Sequence, residues 1–226
     1  MSRILKSIKC ITFDDFINMM FMKMLVFSGA DLNSSELERL IRDIMAAPAK
    51  VLPITYTVSD WEKWEGDWEL VYGQPVAQVA PTLRHRWISL ELAVQFREQF
   101  SACERARCLA LQDVAWEVSG DTVLVPDIVV VCNEDLEQKR LVRAPEMVIE
   151  IVSSHTAKLD ETVKPEIYAR EGVRYLVLVY PEKRVAKVYR LSEGRYLKVG
   201  DFRDEIHLFE DLTCPVEIAF DRLWRS

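Results

Sequence analysis

Two acids set far apart in the chain carry the chemistry this sequence offers. Asp127 follows Pro126 at the entrance of the apolar run Ile128-Val129-Val130-Val131. Glu150 lies inside a second apolar run, Met147-Val148-Ile149-Glu150-Ile151-Val152. A carboxylate within a buried strand is costly unless something compensates its charge. A hydrated divalent cation shared with a second carboxylate is one such partner. The pair therefore predicts a site where a bound cation polarises a substrate oxygen and activates water, which is the chemistry of a metal-dependent hydrolase.

Composition narrows the choice of metal. The histidines at 85, 155 and 207 form no His-x-x-x-His pair, and the cysteines at 10, 103, 108, 132 and 214 form no Cys-x-x-Cys pair. Neither a zinc centre nor a disulfide framework is expected, and Cys103 and Cys108 read as ordinary buried thiols. Oxygen ligands favour Mg2+ or Mn2+, and reduced thiols fit a cytoplasmic protein. No Gly-rich phosphate loop supports a small phosphate-ester hydrolase. A net charge of -7 argues against a protein that coats nucleic acid non-specifically. Any such contact is expected to be local, with Arg84, Arg86, Arg97, Lys139, Arg140 and Arg143 as the candidates.

The elements that must position these acids are legible from periodicity. Alternation puts Val148, Glu150 and Val152 on one strand face and Met147, Ile149 and Ile151 on the other. Upstream, a short helix from Thr57 to Trp64 precedes Trp68 to Val76, a hairpin turning at Gly73. Leu83, Trp87, Leu90, Val94 and Phe100 recur at helical spacing and predict a helix from Pro81 to about Phe100 with that stripe facing the core. Ala115 to Val118 and Thr122 to Val125 flank the turn Ser119-Gly120-Asp121. The polar stretch from Asn133 to Arg143 reads as a surface loop. After the Glu150 strand come a helix ending at Gly172 and the strands Tyr175 to Tyr180 and Val185 to Arg190. This alternation predicts an α/β fold, a mixed central sheet flanked by helices.

Residues 1–48 read as a helical or loosely ordered arm ahead of a domain at 49–226. Six of the seven methionines fall within the first 45 residues, so translation from Met45 is one expectation. The run from Cys10 to Phe27 is interrupted by Asp14, Asp15, Asn18 and Lys23, which argues against a signal peptide or a membrane span.

From Tyr56 to about Arg190 the chain resembles the Uma-two family of restriction-endonuclease-like proteins, a branch of the PD-(D/E)xK nuclease superfamily. The likeness rests on Glu69-Leu70-Val71-x-Gly73, on His85 opening the long helix, and on Pro126-Asp127-Ile128-Val129-Val130. It rests further on Glu150-Ile151-Val152-Ser153 with Thr156, and on Asp160, Lys164, Tyr168 and Gly172-Val173. The resemblance implies a restriction-endonuclease-like core and Mg2+-dependent hydrolysis of DNA phosphodiester bonds, by a homodimer if both strands are cut. It also implies that Lys164, from the helix after the strand, replaces the strand lysine whose slot here holds Val152. Asp127 and Glu150 would bind the metal, with Lys164 completing the catalytic set. Glu69, His85, Asp160 and Tyr168 would surround it.

Three departures bear on these expectations. Pro165 disfavours helical geometry at Lys164, so the helix is expected to begin at the proline, with Lys158 as the substitute amine. The family's Ser-Pro-Ser-Thr is Ser153-Ser154-His155-Thr156 here, and Tyr175 and Tyr180 stand where acids are usual. The alternative reading is a catalytically degenerate nuclease fold serving as a binding or interaction module.

Overall fold

The computed structural model describes residues 54–154 and 156–225. The arm, the Met45 start and the 48/49 boundary expected from the sequence lie outside the described residues, as does His155. A short helix α1, Val58–Trp61, starts at Thr57, whose N–H and hydroxyl both donate to Asp60 Oδ2. Strands β1 (Trp68–Val71) and β2 (Gln74–Ala77) follow as an antiparallel hairpin. Its turn residues Tyr72 and Gly73 both have positive φ, 50° and 73°, as a tight hairpin turn matching the twist of the strands requires.

The helix α2, Leu83–Phe100, comes next, followed by β3 (Cys108–Gln112), β4 (Trp116–Ser119), β5 (Thr122–Leu124), β6 (Ile128–Cys132) and β7 (Met147–Ile151). A π-helical turn, Leu159–Val163, runs directly into the helix α3, Lys164–Arg170. The chain continues through β8 (Tyr175–Tyr180), β9 (Val185–Ser192), β10 (Arg195–Phe202), β11 (Ile206–Phe209), β12 (Val216–Ala219) and a 3-10 turn, Phe220–Trp224.

The central sheet has six strands in the order β10-β9-β8-β7-β6-β3, mixed because β7 and β8 are parallel and the remaining pairs antiparallel. A four-stranded sheet, β2-β1-β5-β4, and the β11-β12 pair stand beside it. Alternation along β7 divides its side chains between two cores. Met147, Ile149 and Ile151 join α2, β12 and the 3-10 turn, whereas Val148 joins Ile167 and Tyr168 of α3. Each fully buried aliphatic side chain contributes about 1.5–3 kcal/mol relative to exposure.

The stripe expected to bury α2 is corrected. Leu83, Trp87 and Leu90 are 89%, 40% and 52% exposed, and the face that packs carries Ile88, Leu92, Gln95, Phe96 and Phe100. Two glutamines explain the difference. Gln95 exchanges amide hydrogen bonds with the N–H and C=O of Ala219, and Gln99 does the same with Glu217. Four residues of helix rise about 6 Å and two residues of strand about 6.6 Å, so the two side chains match the repeat of β12 and stand in for a missing neighbour strand.

The free-thiol expectation is also corrected: Cys103 is disulfide-bonded to Cys214, and Cys108 to Cys132. Cys108 and Cys132 face each other in the β3–β6 register, a proximity that no sequence spacing announces. Among the described residues, no helix is long and apolar enough to cross a membrane.

Candidate active site

The candidate site begins where β6 starts and β7 ends. Asp127 lies one residue ahead of β6, and its Oδ2 accepts the Ile151 N–H at 2.6 Å, which ties the carboxylate to the backbone of β7. Glu150, one residue earlier in β7, is 2% exposed on the face that packs against α3. The Asp127 N–H points at its Oε2 from 3.4 Å. The two acids are thus neighbours across adjacent strands. His85, in the first turn of α2, approaches Asp127 Oδ1 to 3.1 Å through Nε2, while its buried Nδ1 has no partner. Thr82 caps α2 by accepting the His85 N–H, which places the imidazole.

From α3, Tyr168 donates its hydroxyl to Glu150 Oε1 at 2.5 Å. Lys164 Nζ reaches Glu69 Oε1 at 3.0 Å, Glu150 Oε1 at 3.1 Å and Asp160 Oδ1 at 3.2 Å, and the ammonium is almost wholly buried. Glu69 comes from β1, where its Oε1 also accepts the Val125 N–H at 2.7 Å. All seven side chains singled out in the sequence therefore lie in one cluster.

The proline does not displace Lys164. Lys164 keeps helical angles of -61° and -42° ahead of Pro165, because the preceding turn widens to the π form. The Thr162 hydroxyl donates to the Lys158 carbonyl within that turn. Asp160, Lys164 and Tyr168 consequently line one side of a continuous helix, and Lys158 is exposed to solvent rather than turned to the acids. Val152 packs against the α3-side core, and the Lys164 ammonium reaches Glu150, two residues earlier in the chain, from α3.

Burial dominates the electrostatics. It pushes the Glu150 carboxyl well above the ordinary glutamate range; Lys164 opposes this, and Asp160, Asp127 and Glu69 reinforce it. Glu69 is raised for the same first reason, with Lys164 pulling the other way. Burial alone would lower the Lys164 ammonium, yet Glu150, Glu69 and Asp160 together hold it well above its ordinary value. The Tyr168 phenol is pushed far up by burial and then by Glu150, so it stays a hydrogen-bond donor.

Sequence reasoning missed Asp113. It follows β3 with a φ of 52° and donates its N–H to the Asp127 carbonyl at 3.3 Å. Burial and the Asp127 charge raise its pKa, against Arg86 and His85. The only signal was an aspartate at a strand end, a residue type that tolerates the left-handed region. Two members of the expected basic patch are already engaged: Arg140 is held by Glu117 and Glu62, and Arg143 by Glu134.

A hard divalent cation fits this donor set. Four carboxyl groups, Glu69, Asp127, Glu150 and Asp160, gather around one ammonium and one imidazole, an oxygen-rich donor set of the kind such an ion takes. Among the described residues, no three His, Cys, Asp or Glu side chains form a ready metal cage. Asp127 and Glu150, whose strands adjoin, are the two carboxylates that could hold such an ion with water completing its shell.

A family model described as "Uma2: Putative restriction endonuclease" matches residues 57–220. A solved structure titled as a "putative nuclease belonging to DUF820", from Anabaena variabilis, aligns with a TM-score of 0.62. The two share 18% sequence identity, and the alignment covers 75% of this chain and 97% of that one. At that identity the likeness shows the fold alone. No curated protein matches the chain. Because the family model extends over well more than half of its length, the chain belongs to the Uma2 family of restriction-endonuclease-like proteins.

Proposed function

We propose that this chain is a Mg2+-dependent endonuclease that hydrolyses DNA phosphodiester bonds, with Asp127 and Glu150 as metal ligands and Lys164 as the catalytic amine. The observation that carries the reading is the arrival of the Lys164 ammonium 3.1 Å from Glu150, a buried acid that itself meets Asp127. A cation bound by the two carboxylates would supply Lewis acidity toward the scissile phosphate and a more acidic water. The protein's own groups set the geometry. Tyr168 and Lys164 both take Glu150 Oε1, which leaves Oε2 turned toward Asp127. The Ile151 N–H and His85 hold the two oxygens of Asp127. The raised pKa of Lys164 keeps the amine cationic, so it can neutralise charge that develops on phosphoryl oxygens. Cutting both strands calls for two such sites, hence a homodimer.

One observation favours a second reading, a nuclease fold retained as a binding module. The Lys164 ammonium already stands within ion-pair distance of three carboxylates, Glu69, Glu150 and Asp160. Plasmid cleavage in Mg2+, run beside Glu150→Gln and Lys164→Met, separates the two. The endonuclease reading expects nicking or linearisation that both substitutions abolish. Intact plasmid under all conditions, from a folded wild type that binds Mg2+, would leave the module.

A further inference from the structure

The row of the central sheet that contains Glu150 continues past the candidate site. Glu150 pairs with Leu178 of β8, and Leu178 with Lys187 of β9. Residues aligned across strands point to the same face, so Lys187 stands on the Glu150 face two strands away, roughly 10 Å at the usual strand spacing. Just beyond, the turn between β8 and β9 carries Lys183. Both ammonium groups lie over the ring of Tyr180, at 5.1 Å for Lys183 and 4.4 Å for Lys187.

Among the described residues, neither lysine has a carboxylate within ion-pair distance, although the chain as a whole carries a charge of -7. Two acids nearby are otherwise engaged. Asp201, paired with Lys187 in the β9–β10 register, is taken by Lys198 at 2.7 Å, and Glu161 accepts the Tyr180 hydroxyl at 2.8 Å. The turn is also pinned, because the Arg203 guanidinium donates to the carbonyls of Lys183 and Arg184. Two ammonium groups without an ion pair, over one aromatic ring at the same end of the sheet as Asp127, are placed to receive an anion, Lys187 also donating to the Tyr180 hydroxyl at 3.4 Å.

We propose that Lys183 and Lys187 form a phosphate-binding subsite that grips the DNA backbone away from the scissile bond. This rests on the nuclease reading and extends it by assigning a direction to the bound strand, from Asp127 across the ends of β7 and β8 to the β8–β9 turn. At about 3.4 Å of axial rise per phosphate on one strand, the subsite engages a phosphate about three nucleotides from the bond that is cut.

The test is binding of the full chain to a fluorescein-labelled 30-base-pair duplex without divalent cation over a salt series, with cleavage in Mg2+ measured alongside. The Lys183→Ala/Lys187→Ala variant is expected to lose roughly tenfold in affinity and to flatten the log K against log salt slope by about 1.8, two contacts at about 0.9 each. The Lys183→Arg/Lys187→Arg variant retains the wild-type slope. Arg105→Ala, an exposed cation ahead of β3 at the opposite sheet edge, leaves it unchanged. A wild type that binds and cleaves, with the same slope in the double alanine variant, overturns the subsite and spares the nuclease reading. A slope lost equally in Arg105→Ala also overturns it. A folded wild type that neither binds nor cleaves removes both.

Discussion

Tyr168 donates its hydroxyl to the same oxygen of Glu150 that Lys164 engages, at 2.5 Å and 3.1 Å. One carboxylate oxygen is thereby occupied by α3, and the other faces the Asp127 N–H at 3.4 Å. The ring that delivers this hydroxyl is itself fixed, stacked on Trp116 at 6.0 Å between centroids and 14° between planes. Tyr168→Phe retains the stack and removes only the donor. We expect a loss of about 10–100-fold in Mg2+ affinity, the usual effect of removing a group that orients a metal ligand. Calorimetric titration reads this directly. Unchanged Mg2+ affinity would deny Tyr168 the positioning role.

Glu150 should cost the protein stability while it serves the site. Its folded-state pKa is raised, so between the ordinary value of 4.5 and the folded value the native state holds a proton that the unfolded chain has lost. Stability is therefore fully present below about pH 4.5 and declines as pH rises through that window. Glu69 acts in the same direction. Glu150→Gln is expected to flatten the decline and to raise the Tm at pH 8 by roughly 3 °C, about 1 kcal/mol for a chain of this size. Differential scanning calorimetry from pH 5 to 8.5 measures both. An unaltered pH slope in the variant would place the burden on another group.

Much of this arrangement was legible in the sequence, because its two strongest signals are cheap to encode. Apolar alternation fixed the face of Glu150, and the four-residue spacing of Asp160, Lys164 and Tyr168 put them on one helix side. The rest depends on tertiary context. Pro165 pointed to a helix start, and only the π turn before it keeps Lys164 aimed at Glu150. Leu83, Trp87 and Leu90 had the right period for a core stripe, but Gln95 and Gln99 buried the other face by pairing with β12. The subsite lysines gave no signal at all, since Lys183 and Lys187 come together over Tyr180 only through the β8–β9 register.

Removal of the Lys164 ammonium should be far more damaging to the fold than removal of Glu150. Lys164→Ala leaves Glu69, Glu150 and Asp160 buried with no cation among them. Breaking a buried ion pair from one side costs on the order of 3–5 kcal/mol. Protonating the stranded acids offsets the loss, so the deficit should shrink as pH falls toward 5. Urea unfolding at pH 8 and pH 5 tests this. A deficit equal at both values would show that lost packing, rather than stranded charge, is responsible.

The amide pairing on β12 gives a prediction that does not involve the candidate site. Gln95 is 2% exposed and satisfies both backbone groups of Ala219. Gln95→Leu keeps most of the side-chain volume but strands a buried N–H and C=O, each worth about 1–3 kcal/mol when left unpaired. Gln99, half-buried above Glu217, has water available to replace it. Gln99→Leu should therefore cost less than Gln95→Leu, and hydrogen exchange should quicken at Ala219 in the first variant and at Glu217 in the second. Because the two amides lie on the α2 side of the sheet, away from Glu150, DNA cleavage per folded molecule should be unchanged in both. If the two substitutions prove equally mild, with exchange at β12 unaltered, then β12 is held by its pairing with β11 and by the apolar core rather than by the helix.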